Sequence, residues 1–324
     1  MIYKKILVTG SSGVLGSALK ETAKNHSGRN FTFLEAQDCD LTDTNKTLNI
    51  VKSIKPDAIL HLAAVSGGIG LGMKHQASLL RDNMLMAINI LEAARKCKIR
   101  KTVMALSSGM YPPNAPLPLN EASIHEGYPH ESFYGYFFAK RMVDPAIRAY
   151  REEYGINIIG LIPNGIFGEN DNYNFDDAPM LPSLIRRFYE NRENDSEIVV
   201  WGDGTPLREY TYSKDIAKIY MWALDNYDDD QCLNVGSIEE NSICEIAIMI
   251  ADILSIDKKR IIFDATKPKG VFRKSTDNSR FLALSDFKYT SFRKALEKTI
   301  KWFIDSYENH HETIRLYSKS KEKP

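Results

Sequence analysis

The stretch Lys5-Ile6-Leu7-Val8-Thr9-Gly10-Ser11-Ser12-Gly13-Val14-Leu15-Gly16 decides the fold. Its first half is an apolar, β-branched run ended by Gly10, which suits a parallel strand buried on both faces. Its second half spaces glycines as GxxGxxG. Such a loop turns tightly, lets backbone approach a pyrophosphate and seats the next helix close to the sheet. The free N–H groups of that helix's first turn then face the phosphates. Three glycines alone are a weak signal. Between a first strand and a first helix they point to a dinucleotide, with Gly10, Ser11, Ser12, Gly13, Val14, Leu15 and Gly16 as candidate contacts.

Outward from this stretch, strand and helix alternate. Further strands are expected at Phe31–Leu34, Asp57–Leu62, Lys101–Leu106 and Asn157–Ile162, and helices at Ser17–Asn25, Ala77–Lys98 and Tyr134–Tyr154. The alternation predicts an α/β fold, a doubly wound parallel (Rossmann) sheet. After Gly168 the pattern changes to polar, turn-prone residues. A helix follows at Leu181–Asn191, short strands at Glu197–Trp201 and Cys232–Val235, and helices at Cys244–Leu254 and Phe292–Asn309. These read as a smaller mixed α/β C-terminal lobe. The expected organisation is a dinucleotide-binding domain over 1–168 and a substrate lobe over 169–316, with room for the chain to cross back between them. The tail, 317–324, is charged and expected to fray from Ser318 to Pro324.

Bulk properties exclude several classes. The chain has 324 residues, 42 basic and 42 acidic, so no net charge draws it to nucleic acid or an anionic membrane. With 43% apolar and 26% charged residues it has ordinary globular composition. No signal-peptide pattern or membrane-length apolar run is present. Cys39, Cys97, Cys232 and Cys244 are scattered, which favours free thiols over disulfides or a metal site. A cytoplasmic protein is expected.

Two features bear on chemistry. The second strand ends in Leu34-Glu35-Ala36-Gln37-Asp38. A carboxylate there suits the ribose of NAD(H), and no Lys or Arg sits beside Glu35 in sequence. Asp40 and Leu41 are placed to flank the adenine, and Leu62, Ala63 and Ala64 follow His61 at a strand end beside the cofactor. Tyr136 and Lys140 stand four apart in a helical stretch, on one face. A nearby ammonium stabilises a phenolate, which fits Tyr136 for proton transfer. Ser107, after an apolar strand, is placed to hydrogen-bond a reacting oxygen. The set is a proton donor for a carbonyl that receives hydride from a nicotinamide.

The chain resembles the GDP-L-fucose synthases, extended short-chain dehydrogenases that epimerise and reduce GDP-4-keto-6-deoxymannose. The likeness runs through Val8–Gly13, Asp40–Asp43, His61–Ala64, Ser107-Ser108 with Tyr111-Pro112, Gly135-Tyr136, Ala139–Met142, Asp171-Asn172, Leu181-Pro182, Trp201-Gly202, Arg208-Glu209, Asp264–Lys267 and Phe272–Lys274. It implies Ser107, Tyr136 and Lys140 as the catalytic set, with Arg187, Trp201 and Arg208 on the nucleotide diphosphate sugar; arginine forks suit diphosphate oxygens. Lys140, Pro163 and Ile166 join the cofactor contacts; Ser108, Gly109, Asn164, Leu181 and Lys267 join the substrate contacts. The resemblance implies NADP(H), against the local reading of Glu35. It also implies a homodimer joined through the helices at 77–98 and 134–154.

The departures set the functional expectation. Fucose synthases move protons beside the ketone with a cysteine and a histidine. Their positions here are Gly109 and Pro179, neither titratable, and Gly165 stands where the family has asparagine. Proton abstraction next to a carbonyl needs a positioned base. The expected activity is therefore C4 reduction of a 4-keto nucleotide sugar, a GDP-linked 6-deoxyhexose or heptose for surface polysaccharide, without C3/C5 epimerisation. Losing two bulkier side chains would also widen the pocket for a longer sugar. The alternatives are a complete GDP-L-fucose synthase using His130, Glu131, Asp171 or Asp176 as bases, another sugar-nucleotide epimerase or dehydratase, and a non-catalytic NAD(P)H sensor. An acid/base pair after Ser107, which a dehydratase uses, is absent.

Overall fold

The computed structural model describes residues 3–267 and 271–317. The run at Lys5–Thr9 forms β1, and the chain passes through the glycine loop into α1 (Val14–Ala23). This helix begins three residues before its expected start, because Gly13 itself is its N-cap. There follow β2 (Asn30–Leu34), α2 (Thr44–Ile54), β3 (Ala58–His61), α3 (Ile69–Lys74), α4 (Gln76–Lys96), β4 (Lys101–Ala105), α5 (Tyr134–Tyr154), β5 (Ile158–Pro163) and β6 (Gly165–Phe167). Then come α6 (Met180–Glu190), β7 (Ile198–Trp201), β8 (Leu207–Tyr212), α7 (Ser213–Asn226), β9 (Leu233–Val235), β10 (Glu240–Ser242), α8 (Ile243–Ile253), β11 (Ile261–Asp264), α9 (Ser279–Leu284) and α10 (Phe292–Asn309).

The central sheet has strand order β2-β1-β3-β4-β5-β9, all parallel. Every residue of β3 and β5 is buried, as strands covered on both faces must be. α4 packs on α5 over one face and α1 on α7 over the other, with a separate apolar core beneath each pair. Helix ends follow local chemistry. The Asp43 carboxylate accepts the N–H groups of Asn45 and Lys46 at 2.8 and 2.9 Å to open α2, and Gly155, at φ +64°, closes α5.

The lobe has its own core under α6, α8 and α10. Two small sheets complete it, β10-β8-β6 and β11-β7. The strand expected at Cys232–Val235, grouped above with the lobe, is corrected: it is β9, the sixth strand of the central sheet, paired with β5. Helices α2 and α7 lie outside the elements expected from sequence. In α7, Ile216, Ala217, Tyr220, Ala223 and Leu224 recur at helical spacing and are buried against the sheet. The expected fraying from Ser318 to Pro324 lies outside the described residues. Among the described residues no helix is long and apolar enough to cross a membrane.

Candidate active site

A cleft of about 400 Å³ opens at the carboxyl ends of the central strands, where ligands bind in open α/β sheets. It is lined by Gly10, Ser12, Gly13, Val14, Leu15, Gly16, Leu62, Ala64, Ser107, Tyr136, Lys140, Pro163, Asn164 and Ile166, all expected above. Ser66, Gly67, Ala105, Leu106, Asn170, Asp171, Asn172, Pro179, Thr313 and Arg315 complete the wall.

The glycine loop fits a dinucleotide for physical reasons. Gly10 sits at φ +71°, and a Cβ there would stand 2.6 Å from the Ala63 backbone. A Cβ on Gly16 would meet the Ser11 Cα at 2.5 Å, so helix and loop touch. At Gly13 the only neighbour is the Gly10 carbonyl at 3.5 Å, so the backbone lies open to the cleft. α1 has no side-chain cap, and its first N–H groups remain for an anion. Ser11 is buried behind the loop with its hydroxyl unpartnered, so only its backbone is available to a ligand.

Glu35 requires a correction. Lys20, on α1, holds the Glu35 carboxylate at 2.7 Å, so a basic residue does stand beside it in space. Asp40 is tied to Thr42, through the backbone N–H at 3.0 Å and the hydroxyl at 2.6 Å, and Leu41 is buried in the core beneath α2 and α4. Neither side chain reaches the cleft. His61 is buried, shares a hydrogen bond of 2.8 Å with the Thr9 hydroxyl, and is held neutral by burial, its pKa falling to about 3.

Ser107, Tyr136 and Lys140 come together as expected. Ser107 follows β4 by two residues, and its Oγ accepts the Gly109 N–H at 3.2 Å, leaving the O–H to donate. Tyr136 lies in the first turn of α5, with its hydroxyl against those of Ser66 and Ser107. One turn on, Lys140 Nζ donates to the Ala105 carbonyl at 2.8 Å and lies 5.8 Å from the Tyr136 ring centre. The lowering expected from a nearby ammonium is not seen: burial dominates and pushes the Tyr136 pKa up to about 12, so the phenol carries the proton that a donor to a carbonyl needs. Burial lowers Lys140 to about 8.

Among the residues expected to contact substrate the outcomes diverge. A Cβ on Gly109 would fall inside the Phe137 ring. That ring is itself packed by Phe133, edge-on at 5.4 Å, and by Lys274 Nζ, 5.4 Å from its centre. The expected widening at this position is therefore corrected: Phe137 takes the space. Gly165 follows the same logic, since β6 lies so close to β8 that a Cβ would meet the Glu209 carbonyl at 2.8 Å. Pro179 lines the cleft as the N-cap of α6. Leu181 does not contact the cleft; it is fully buried in the lobe core, because the first turn of α6 points it inward. The Asn164 side chain is committed within the protein. Its amide donates to Glu209 at 3.1 Å and the Ser237 carbonyl at 2.8 Å, and its oxygen accepts Thr211 at 2.6 Å.

The remaining expected substrate residues lie away from this cleft. Arg187 donates to the Val199 carbonyl at 2.6 Å and Arg208 to the Leu207 carbonyl at 2.7 Å. Trp201 is exposed at the end of β7, with Lys267 Nζ 6.0 Å from its ring centre. Ser108 lines a narrow recess with Lys274 and His130. Of the four suggested replacement bases, Asp171 alone lines the cleft. It is buried, accepts the Asn172 N–H at 2.7 Å, and burial raises its pKa to about 7. His130 is bonded to Ser132, and Glu131 and Asp176 are exposed.

This glycine loop, with a Ser-Tyr-Lys set lining the same cleft, defines a nicotinamide-dependent enzyme. The NAD dependent epimerase/dehydratase family matches residues 6–236, and the chain belongs to it. Within that class it belongs with the GDP-L-fucose synthases. The GDP-L-fucose synthase of Dictyostelium discoideum is 36% identical over 94% of this chain and 97% of its own. A GDP-L-fucose synthetase from Naegleria fowleri, bound to NADP, is 32% identical with TM-score 0.89, covering 96% of each chain. A GDP-6-OMe-4-keto-L-xylo-heptose reductase from C. jejuni shares the fold, with TM-score 0.88 at 22% identity over 94% of this chain and 99% of that one.

Proposed function

We propose that the protein reduces the C4 ketone of a GDP-linked 4-keto sugar, a 6-deoxyhexose or a heptose destined for surface polysaccharide, without epimerising C3 or C5. The carrying observation is Phe137, whose ring occupies the space that a side chain at 109 would need. With Pro179 at the second position, the two places for proton-moving groups hold no titratable side chain. A nicotinamide held in the cleft would supply hydride to C4. Tyr136, protonated by virtue of its burial, gives its phenolic proton to the ketone oxygen. Ser107, its acceptor side occupied by the Gly109 N–H, donates its O–H to the same oxygen and polarises it. Lys140, fixed on the Ala105 carbonyl, holds positive charge beside the phenol. The reading takes NADP(H) as cofactor. Lys20 neutralises Glu35, and the N. fowleri relative carries NADP.

We place the enzyme in the cytoplasm as a homodimer. In support of the dimer, Met84, Leu85 and Ile88 on α4 and Met142 on α5 are exposed along the outer face of that helix pair.

A second reading, a complete 3,5-epimerase/4-reductase, has one observation in its favour: Asp171 sits in the cleft with a pKa near neutral. Against it, Asp171 belongs to the Asp171-Asn172 pair shared with the fucose synthases, so it is no replacement for their missing groups. The deciding experiment supplies GDP-4-keto-6-deoxymannose and NADPH in heavy water and reads the product by NMR. C4 reduction without deuterium at C3 or C5, abolished by Tyr136→Phe while NADPH binding persists, is the expected result. Deuterium at those carbons, with GDP-L-fucose as product, overturns the proposal.

A further inference from the structure

The last described residues return to the cleft. Beyond α10, Arg315 bridges to Asn172, and its carbonyl accepts the Tyr173 N–H at 3.0 Å. In extended chain, alternate side chains face opposite ways. Ile314 and Leu316 are buried in the lobe core, while Thr313 and Arg315 line the cleft. A single buried guanidinium fastens the two segments. Arg186 Nη1 donates to the Leu316 carbonyl at 2.8 Å and to the Tyr173 carbonyl at 2.9 Å.

Charge indicates what this strap is for. A dinucleotide brings a pyrophosphate into a cleft whose glycine loop carries no basic side chain. The lining holds two cations, Lys140 and Arg315. Lys140 is buried and engaged with the Ala105 carbonyl beside Tyr136. Arg315 is held at one corner, where Nη2 meets Asp177 Oδ2 at 3.0 Å. The other Asp177 oxygen accepts the side-chain amides of Asn172 and Asn174, at 2.8 and 2.9 Å, so the carboxylate is itself fixed. The other guanidinium nitrogens of Arg315 have no partner among the described residues. A planar fork anchored at one nitrogen and open at the rest is suited to phosphate oxygens.

We propose that residues 313–317 form a strap that completes the cofactor cleft, and that Arg315 binds a diphosphate there. Two diphosphates enter such an enzyme, one on the dinucleotide and one on the sugar nucleotide. Because Arg315 shares its cavity with Gly10 and Ser12–Gly16, the dinucleotide is the assigned ligand. The proposal rests on the nicotinamide cofactor alone and does not depend on which sugar is reduced.

The test uses the full chain and equilibrium titration with NADPH, NADH and GDP separately. Arg315→Gln is expected to weaken NADPH and NADH alike, by roughly tenfold, with GDP unchanged. Arg315→Lys is expected to recover part of the loss, and the KM for NADPH to rise in Arg315→Gln with kcat nearly unchanged. An unchanged melting temperature in both variants excludes a folding defect. Loss of GDP affinity alone, with NADPH and NADH unchanged, overturns the assignment of Arg315 to the dinucleotide. Unchanged affinity for all three ligands in a folded Arg315→Gln protein overturns the proposal.

Discussion

The glycine-loop wall of the cleft is largely main chain. Gly10, Gly13 and Gly16 hold their places because a side chain there would strike the backbone or block a ligand. The opposite wall is made of side chains brought from the end of β4, α5, the segment after β6 and the start of α6. The first wall accepts almost no change without losing its shape. The second can change chemistry while keeping shape, and just behind Ser107 Phe137 fills the space at Gly109 in the same way. The difference separates what the family shares from what this chain does.

Three substitutions press on this contrast. Gly16→Ala is expected to have the largest effect. Its Cβ has no flexible neighbour to displace, so stability should fall by about 3 kcal/mol or more, and NADPH affinity should collapse. Thermal denaturation and NADPH titration measure both; a variant of normal stability and affinity would show the backbone wall to be soft.

Asp171→Asn comes next, and its effect depends on pH. Burial raises the folded pKa to about 7, above the unfolded value near 3.8. The folded protein therefore holds that proton more tightly, and the carboxyl's contribution to stability is lost as pH rises through 7. Asparagine can keep the bond from the Asn172 N–H and escapes this loss. The variant should match the parent near pH 4 and exceed it by on the order of 2–4 kcal/mol at pH 8. Melting curves across that range check it; a difference that does not vary with pH would remove Asp171 as a buried titrating group.

Gly109→Cys is the smallest, at about 1–3 kcal/mol of overpacking against Phe137. Phe137→Ala in the same chain should recover part of that loss. Non-additive melting temperatures in the double-mutant cycle are the expected sign, and strict additivity would mean that the ring does not occupy the position.

Legibility in the sequence followed the same division. The glycine loop and the Tyr136/Lys140 pair were readable because each is a local pattern, set by a turn or by one helical period. Lys20 lies fifteen residues before Glu35 in the chain, and only the packing of α1 beside β2 brings the two charges together. Leu181 belongs to a stretch shared with the family, yet the first turn of α6 carries it into the core. Helix α7 has no clear signature in sequence because its apolar positions crowd several faces, burying Ile219 and Met221 as well as Ile216, Ala217, Tyr220, Ala223 and Leu224. Arg315 had no motif to announce it. Its position depends on the parity of a short extended segment and on the fastening by Arg186.

The path of the chain has a consequence for how such an enzyme changes over time. After β6 it builds α6, β7 and β8, returns to the central sheet for α7 and β9, leaves again for α8 and β11, and comes back once more at α9, whose Phe281 lies in the core under α1. No single cut in the gene releases either part whole. A fragment ending at residue 168 would lack the edge strand β9 and the helix that covers α1. Exchange of one lobe for another by a single recombination event is closed to this architecture. New substrates have to be acquired in place, one side chain at a time, on the wall that tolerates it.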